Sequence, residues 1–150
     1  IKRLAKEHPD VEFVKPDDYY KLDVDVLVPC ALGGSLNSDT IPQIKAKIVA
    51  GTANNVLLDE DIHGDMLKDK DILYAPDFVI NAGGLINVYH ELLEYNVGRA
   101  TRDIEKIYDR LLDIFVIAES ENINTHLAAK VFAKNRIETI NHLHDNYIKR

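Results

Sequence analysis

Three short stretches hold the residues of this chain that could do chemistry. They read PCALGGS at 29–35, GTANN at 51–55 and NAGG at 81–84. Each follows an apolar run and consists mainly of small residues, side-chain amides or a thiol. A carboxamide offers donors and an acceptor without charge. Glycine lets a flat ring or a sugar approach the main chain. The set suits a carboxamide, a ribose or a neutral transition state better than a phosphate. For any one stretch the simpler reading is a turn, because Gly and Asn are common where a strand stops. Three such endings together point to a ligand site.

Other reactive residues read more simply. Cys30, near Gly33, Gly34 and Ser35, could be a nucleophile, but no histidine lies close in sequence. Its ordinary role would be buried packing. His90, Glu91 and Glu94 share a predicted helix and could hold a metal. There is no H-E-x-x-H pattern or second cluster, so solvated helix surface is the expectation and no metal site is assigned. His142 and His144 are expected to be exposed and inert. Asp59, Glu60 and Asp61 read as first-turn residues favoured by the helix dipole. Tyr108 and Phe115 read as core-facing.

The elements that must position these residues follow from hydrophobic patterning. Apolar runs near 24–30, 47–51 and 72–80 are rich in Val, Ile and Leu and lack polar alternation. The third combines ILYA with a second apolar piece at 78–80. Such runs suit parallel strands buried on both faces. Helices are expected between them, at 40–46 (Pro42 in a first turn capped by Ser38 or Asp39) and at 59–70. A short helix at 1–8 stops at Pro9, an edge strand is possible at 11–14, and Asp17 and Asp18 begin a helical turn. From about 85 to 147 the pattern is helical, at 85–95, at 101–120 and from 124 onward. The stripe of the second helix is Ile104, Ile107, Tyr108, Leu111, Leu112 and Phe115. The third, which Asn124 and Thr125 can cap, carries Leu127, Ala128, Val131, Ile137 and Ile140. Strand, helix, strand, helix is the rhythm of an open α/β sheet, whose ligands sit outside the carboxyl ends of the strands.

The 150 residues favour one domain. A hydrophobic fraction of 46% with 29% charged residues fits a soluble globular protein and no membrane span. The net charge of −7 argues against a nucleic-acid partner, which needs a basic surface. A single cysteine cannot form an internal disulfide and fits a reducing cytoplasm. The chain opens at Ile1 inside a helical pattern, so a fragment of a larger protein is expected.

PCALGG at 29–34, SDTIPQIKAKIVAGTANN at 38–55 and YAPDFVINAGGLINV at 74–88, in this order and spacing, resemble the Glu/Leu/Phe/Val amino-acid dehydrogenases, most closely the leucine dehydrogenase branch. The resemblance covers nearly the whole chain. It implies an NAD-dependent, cytoplasmic, homo-oligomeric enzyme that oxidatively deaminates an L-amino acid, of leucine or branched-chain type, to a 2-oxo acid and ammonia. It implies a partial Rossmann-type parallel sheet with flanking helices and a C-terminal helical extension, the second half of a dinucleotide-binding domain. Cys30, Ala31 and Leu32 would lie along the nicotinamide-side ribose. Asn54 and Asn55 would sit at the nicotinamide and the substrate's reacting end. Asn81, Gly83 and Gly84 would lie beneath the nicotinamide, so the cofactor set is Cys30, Ala31, Leu32, Asn54, Asn55, Asn81, Gly83 and Gly84. Asn55, Leu85 and Val88 would meet the substrate. Leu85 stands where leucine dehydrogenases commonly carry valine, which could reshape the pocket.

The chain has no G-x-G-x-x-G; its only glycine pairs are 33–34 and 83–84. By the resemblance, the catalytic lysines and aspartate belong to an N-terminal domain absent here. No catalytic residue is therefore assigned in this chain, and the chain alone is expected to be inactive. The alternative is a stand-alone α/β nucleotide-binding or interaction module without catalysis.

Overall fold

Valine, isoleucine, leucine and tyrosine suit a pleated backbone, and three short runs of them pair in register. β1 (Val26–Leu27), β2 (Ile48–Val49) and β3 (Leu73–Tyr74) form one parallel sheet in that order. Val26 pairs with Ile48 and Leu27 with Val49, and on the other side of β2 Ile48 pairs with Leu73 and Val49 with Tyr74. This computed structural model describes residues 2–147, with side chains from 3 to 142. The class is α/β, as the strand–helix rhythm implies.

The sheet differs from expectation in having one open face. Leu27, Val49 and Tyr74 are buried, with Leu36, Ile41, Val56, Leu57 and Leu67 around them. Val26 and Leu73 on the other face are exposed and Ile48 is half-buried. Side chains alternate along a strand, and the helix α2 (Glu60–Asp69) covers only the first face, through Leu67.

The connections explain the other departures. No full helix forms at 40–46; Ile41–Gln43 is a 3-10 turn. Its organiser is Asn37 and not Ser38 or Asp39. The Asn37 carboxamide oxygen accepts from the Asp39 and Thr40 N–H groups at 3.0 and 3.1 Å, an arrangement that competes with helix. Ile41 and Ile44 are nonetheless core residues. α2 starts as expected, the Asp59 carboxylate accepting from the Asp61 and Ile62 N–H groups. The apolar piece at 78–80 is not strand but the short helix α3 (Asp77–Ile80), because Pro76 turns the chain. Residues 11–14 form no strand, and Val11, Phe13 and Val14 are exposed. α1 (Lys2–Glu7) ends ahead of Pro9, and Pro16–Lys21 is the helical turn of 3-10 type. Ile1, where the first helix was expected to begin, lies outside the described residues.

Three helices complete the fold: α4 (Gly83–Glu91), α5 (Val97–Ser120) and α6 (Thr125–Tyr147). α4 stops short of the expected residue 95. α5 begins before Thr101 because the Asn96 side chain accepts from the Arg99 N–H at 3.0 Å. Its buried line runs Ala100, Ile114 and Ala118, with Ile104, Ile107, Leu111 and Phe115 partly covered. Tyr108, expected in the core, is 67% exposed, and Leu112 is exposed too. Small alanines let α6 approach closely through Ala128 and Ala129, which rotates the contact stripe away from Tyr108. Asn124 caps α6, accepting from the Leu127 N–H at 2.9 Å. Leu127, Ile137 and Ile140 are exposed, and so is His142; the His144 side chain lies outside the described residues. Among the described residues, no helix is long and apolar enough to cross a membrane.

Candidate functional site

Parallel pairing puts the carboxyl ends of all three strands at one edge of the sheet, and the small residues there allow close approach. An added Cβ on Gly51 would lie 2.0 Å from the Pro29 carbonyl oxygen, so the first two strand ends pack backbone to backbone. The Ala53 N–H donates to that same oxygen at 3.1 Å. Beyond it, the Gly34 N–H donates to the Asn55 carbonyl at 2.7 Å and the Leu36 N–H to the Val56 carbonyl at 2.9 Å. Gly33 sits so close that a Cβ would come within 2.9 Å of the Asn54 and Asn55 carbonyl oxygens.

The third strand end joins through side chains. The Asn81 carboxamide donates to the Asn54 carboxamide oxygen at 2.5 Å. Asn55 adopts a left-handed backbone, φ +52°, a conformation asparagine tolerates better than other non-glycine residues. Its side chain is exposed and makes no hydrogen bond within the described residues. The structure thus brings together Gly33, Asn54, Asn55 and Asn81, with one carboxamide tethered and its neighbour free, while Cys30 lies beside Thr52.

Cys30 is not the buried packing residue of the sequence reading; it is exposed. Thr52 hydrogen-bonds its sulfur from both hydroxyl and main chain, which holds the thiol pKa below its ordinary value. Cys30, Ala31 and Leu32 form one wall of a groove of about 530 Å³, whose other wall holds Val14, Tyr19 and Tyr20. The Tyr19 hydroxyl in this groove has no partner among the described residues, and burial, then the nearby Tyr20, pushes its pKa up to about 12.

Gly83 and Gly84 open α4 just beyond Asn81. Gly83 backs onto Ile104 of α5, whereas among the described residues nothing lies within 4 Å of a Cβ placed on Gly84. Leu85 and Val88, one turn apart on α4, are 75% and 51% exposed. They project from the fold and are not enclosed by this chain.

Sequence reasoning passed over Asp77. This carboxylate is 6% exposed and accepts from the Val56 N–H at 2.9 Å and the Phe78 N–H at 2.8 Å. An acidic residue directly after an apolar run was the available signal. His63 was also missed: it is buried on α2, accepts from the Asp59 N–H at 2.8 Å through Nδ1, and meets the Ser38 hydroxyl at 3.1 Å through Nε2. With Nδ1 accepting, the neutral ring carries its proton on Nε2 and donates to Ser38. His90 is not solvated surface. It is buried and pairs with Asp103 of α5 at 2.9 Å, not with Glu91 or Glu94. No group of three or more ligating side chains that could hold a metal occurs among the described residues.

Thin strand ends leave room for a flat group, and a free carboxamide beside a tethered one offers it uncharged donors and acceptors. The family model described as Glutamate/Leucine/Phenylalanine/Valine dehydrogenase matches residues 1–145. An L-tryptophan dehydrogenase of Nostoc punctiforme is 54% identical over 124 residues, 83% of this chain and 35% of that protein. A leucine dehydrogenase of Thermoactinomyces intermedius is 49% identical over 138 residues, 92% of this chain and 37% of that protein. The crystal structure of L-tryptophan dehydrogenase from Nostoc punctiforme superposes with a TM-score of 0.82 at 52% identity, covering 84% of this chain and 38% of that one. The chain therefore spans little more than a third of the length of the relatives it matches.

Proposed function

This chain belongs to the Glutamate/Leucine/Phenylalanine/Valine dehydrogenase family, and from that membership we propose that it supplies the nicotinamide-side half of the NAD-binding domain of an L-amino-acid dehydrogenase. The observation that carries the proposal is the meeting of three strand ends at the Asn54–Asn81 carboxamide pair, with Asn55 left free.

A bound nicotinamide would supply the redox chemistry by accepting hydride from the substrate's α-carbon. The residues of this chain bind and orient. Gly33 and Gly51 keep the strand ends thin. Asn54, held by Asn81, and Asn55 present uncharged donors and acceptors that fix a carboxamide in plane, the kind of positioning that lowers a barrier through lost entropy. Cys30, Ala31 and Leu32 flank the ribose, and Gly83 and Gly84 open the helix beneath the ring. Leu85 and Val88 offer an apolar surface for a substrate side chain. The proton-transfer groups belong to a partner domain facing this edge, so the chain alone binds without turning over. A homo-oligomer in the cytoplasm is part of the proposal.

Leucine and the other branched-chain amino acids are the proposed substrates. An apolar pocket separates side chains by only about 1–3 kcal/mol per methylene, so activity across that group is expected. An aromatic substrate is the second reading, favoured by the 54% identity to an L-tryptophan dehydrogenase. Joining this chain to the remaining length of the Thermoactinomyces intermedius leucine dehydrogenase and assaying a panel of L-amino acids with NAD and NADP decides between them. Branched-chain turnover with NAD is the expected result. A folded chimera that binds no pyridine nucleotide would sink the proposal, and turnover by the isolated chain would overturn the division of labour.

A further inference from the structure

We propose that Asp77 is a positioning residue that sets the Asn54–Asn55 turn through the Val56 main chain. The inference rests on the proposed role of those amides in holding a nicotinamide.

A carboxylate only 6% exposed is costly unless hydrogen bonds compensate it. An apolar residue would serve a core position more simply. Asp77 spends both oxygens on backbone donors: Oδ2 accepts from Val56 and Oδ1 from Phe78. Its own N–H donates to the Tyr74 hydroxyl at 3.2 Å. Burial, then the Asp77 charge, raises the Tyr74 pKa well above its usual range, so the hydroxyl stays protonated.

The placement of Val56 gives the first bond its meaning. Asn55 turns the chain outward with φ +52°, and Val56 turns it back into the core, where it is buried. Asp77 takes the N–H at that return point, across 21 residues of sequence. Four residues on, Asn81 donates its own N–H to the Asp77 carbonyl at 2.9 Å and its side chain to Asn54. The short helix α3 therefore grips the turn on both sides, at Val56 by carboxylate and at Asn54 by carboxamide. Asn55 stands between the grips with its side chain free.

The test uses the full ¹⁵N-labelled chain. In the wild type, the Val56 N–H should exchange as slowly as the core amides of Leu67 and Ile114; exchange at loop rates would overturn the inference. Asp77→Asn keeps the volume but offers one oxygen for two donors. It should raise Val56 exchange at least tenfold and scatter the Asn54 and Asn55 side-chain signals, with the Ile114 and Ala118 signals unchanged. NAD affinity followed at those side-chain signals should fall about tenfold. A role in stability alone would lower the melting temperature and leave Val56 protection and NAD affinity within twofold, which would overturn the proposal. If Asp77→Asn does not fold, Asn81→Ala tests the same grip on its exposed side: free Asn54 signals with weaker NAD binding support it, and unchanged ones refute it. Absence of any NAD-induced shift in the wild type would count against the proposed function, while Val56 exchange would still decide the role of Asp77.

Discussion

Gly51 and Pro29 meet backbone to backbone: a Cβ on Gly51 would lie 2.0 Å from the Pro29 carbonyl oxygen and 2.6 Å from its ring. Neither atom belongs to a flexible side chain. Gly51→Ala must therefore push the first two strand ends apart. Overpacking of this kind costs about 1–3 kcal/mol. Thermal denaturation should show a fall of about 2–4 °C per kcal/mol for a chain of this size. An unchanged melting temperature would show that the strand ends have slack.

Asn55 separates backbone need from side-chain need. Glycine accepts the left-handed conformation, whereas alanine there costs about 1–2 kcal/mol. Asn55→Gly should fold nearly as the wild type yet lose nicotinamide affinity. Asn55→Ala should lose both. Calorimetric titration with NAD beside a melting curve checks the pair. Full affinity in the glycine variant would remove the Asn55 carboxamide from the site.

Cys30 should be alkylated faster than an ordinary exposed cysteine near neutral pH, because Thr52 stabilises its thiolate. Thr52→Val removes the hydroxyl donor and should slow iodoacetamide modification severalfold. Saturating NAD should protect the thiol if the ribose lies along Cys30. Mass spectrometry of timed samples reads both effects.

Gly64 on α2 lies against Asn124, with an added Cβ 2.9 Å from its carboxamide carbon and oxygen. Gly64→Ala should displace that side chain and cost the α6 cap, typically about 1 kcal/mol, together with its 2.7 Å bond to Asp65. Because both effects run through Asn124, the double variant Gly64→Ala, Asn124→Ala should lose less than the sum of the single ones. Additive losses in denaturant melts would contradict this.

The α4–α5 clamp should respond to acid. Lys106 and then His90 lower the Asp103 pKa below its ordinary value of 3.8. A depressed carboxylate stabilises the fold above its unfolded pKa and loses that contribution as pH falls through the folded value. Asp103→Asn should thus lower the melting temperature slightly at neutral pH and not at all below the carboxylate range. The effect should shrink in high salt, since the pair with Lys106 is exposed.

The chemistry of the strand ends was legible in the residues themselves. Apolar runs closing on PCALGG, GTANN and NAGG set the three strands, their parallel sense and the edge where a ligand could lie, because burial and turn preference act within a few neighbours. The helix start at Asp59 and the cap at Asn124 were legible for the same reason. Tertiary structure alone decided which sheet face is covered, since Val26 and Leu27 are equally apolar and only packing by α2 distinguishes them. It turned 78–80 into helix, exposed Cys30 and Tyr108, and paired His90 with Asp103 across two helices. It also joined Asp77 to Val56. That bond spans 21 residues, and no local pattern encodes a hydrogen bond whose donor arrives from a distant connection.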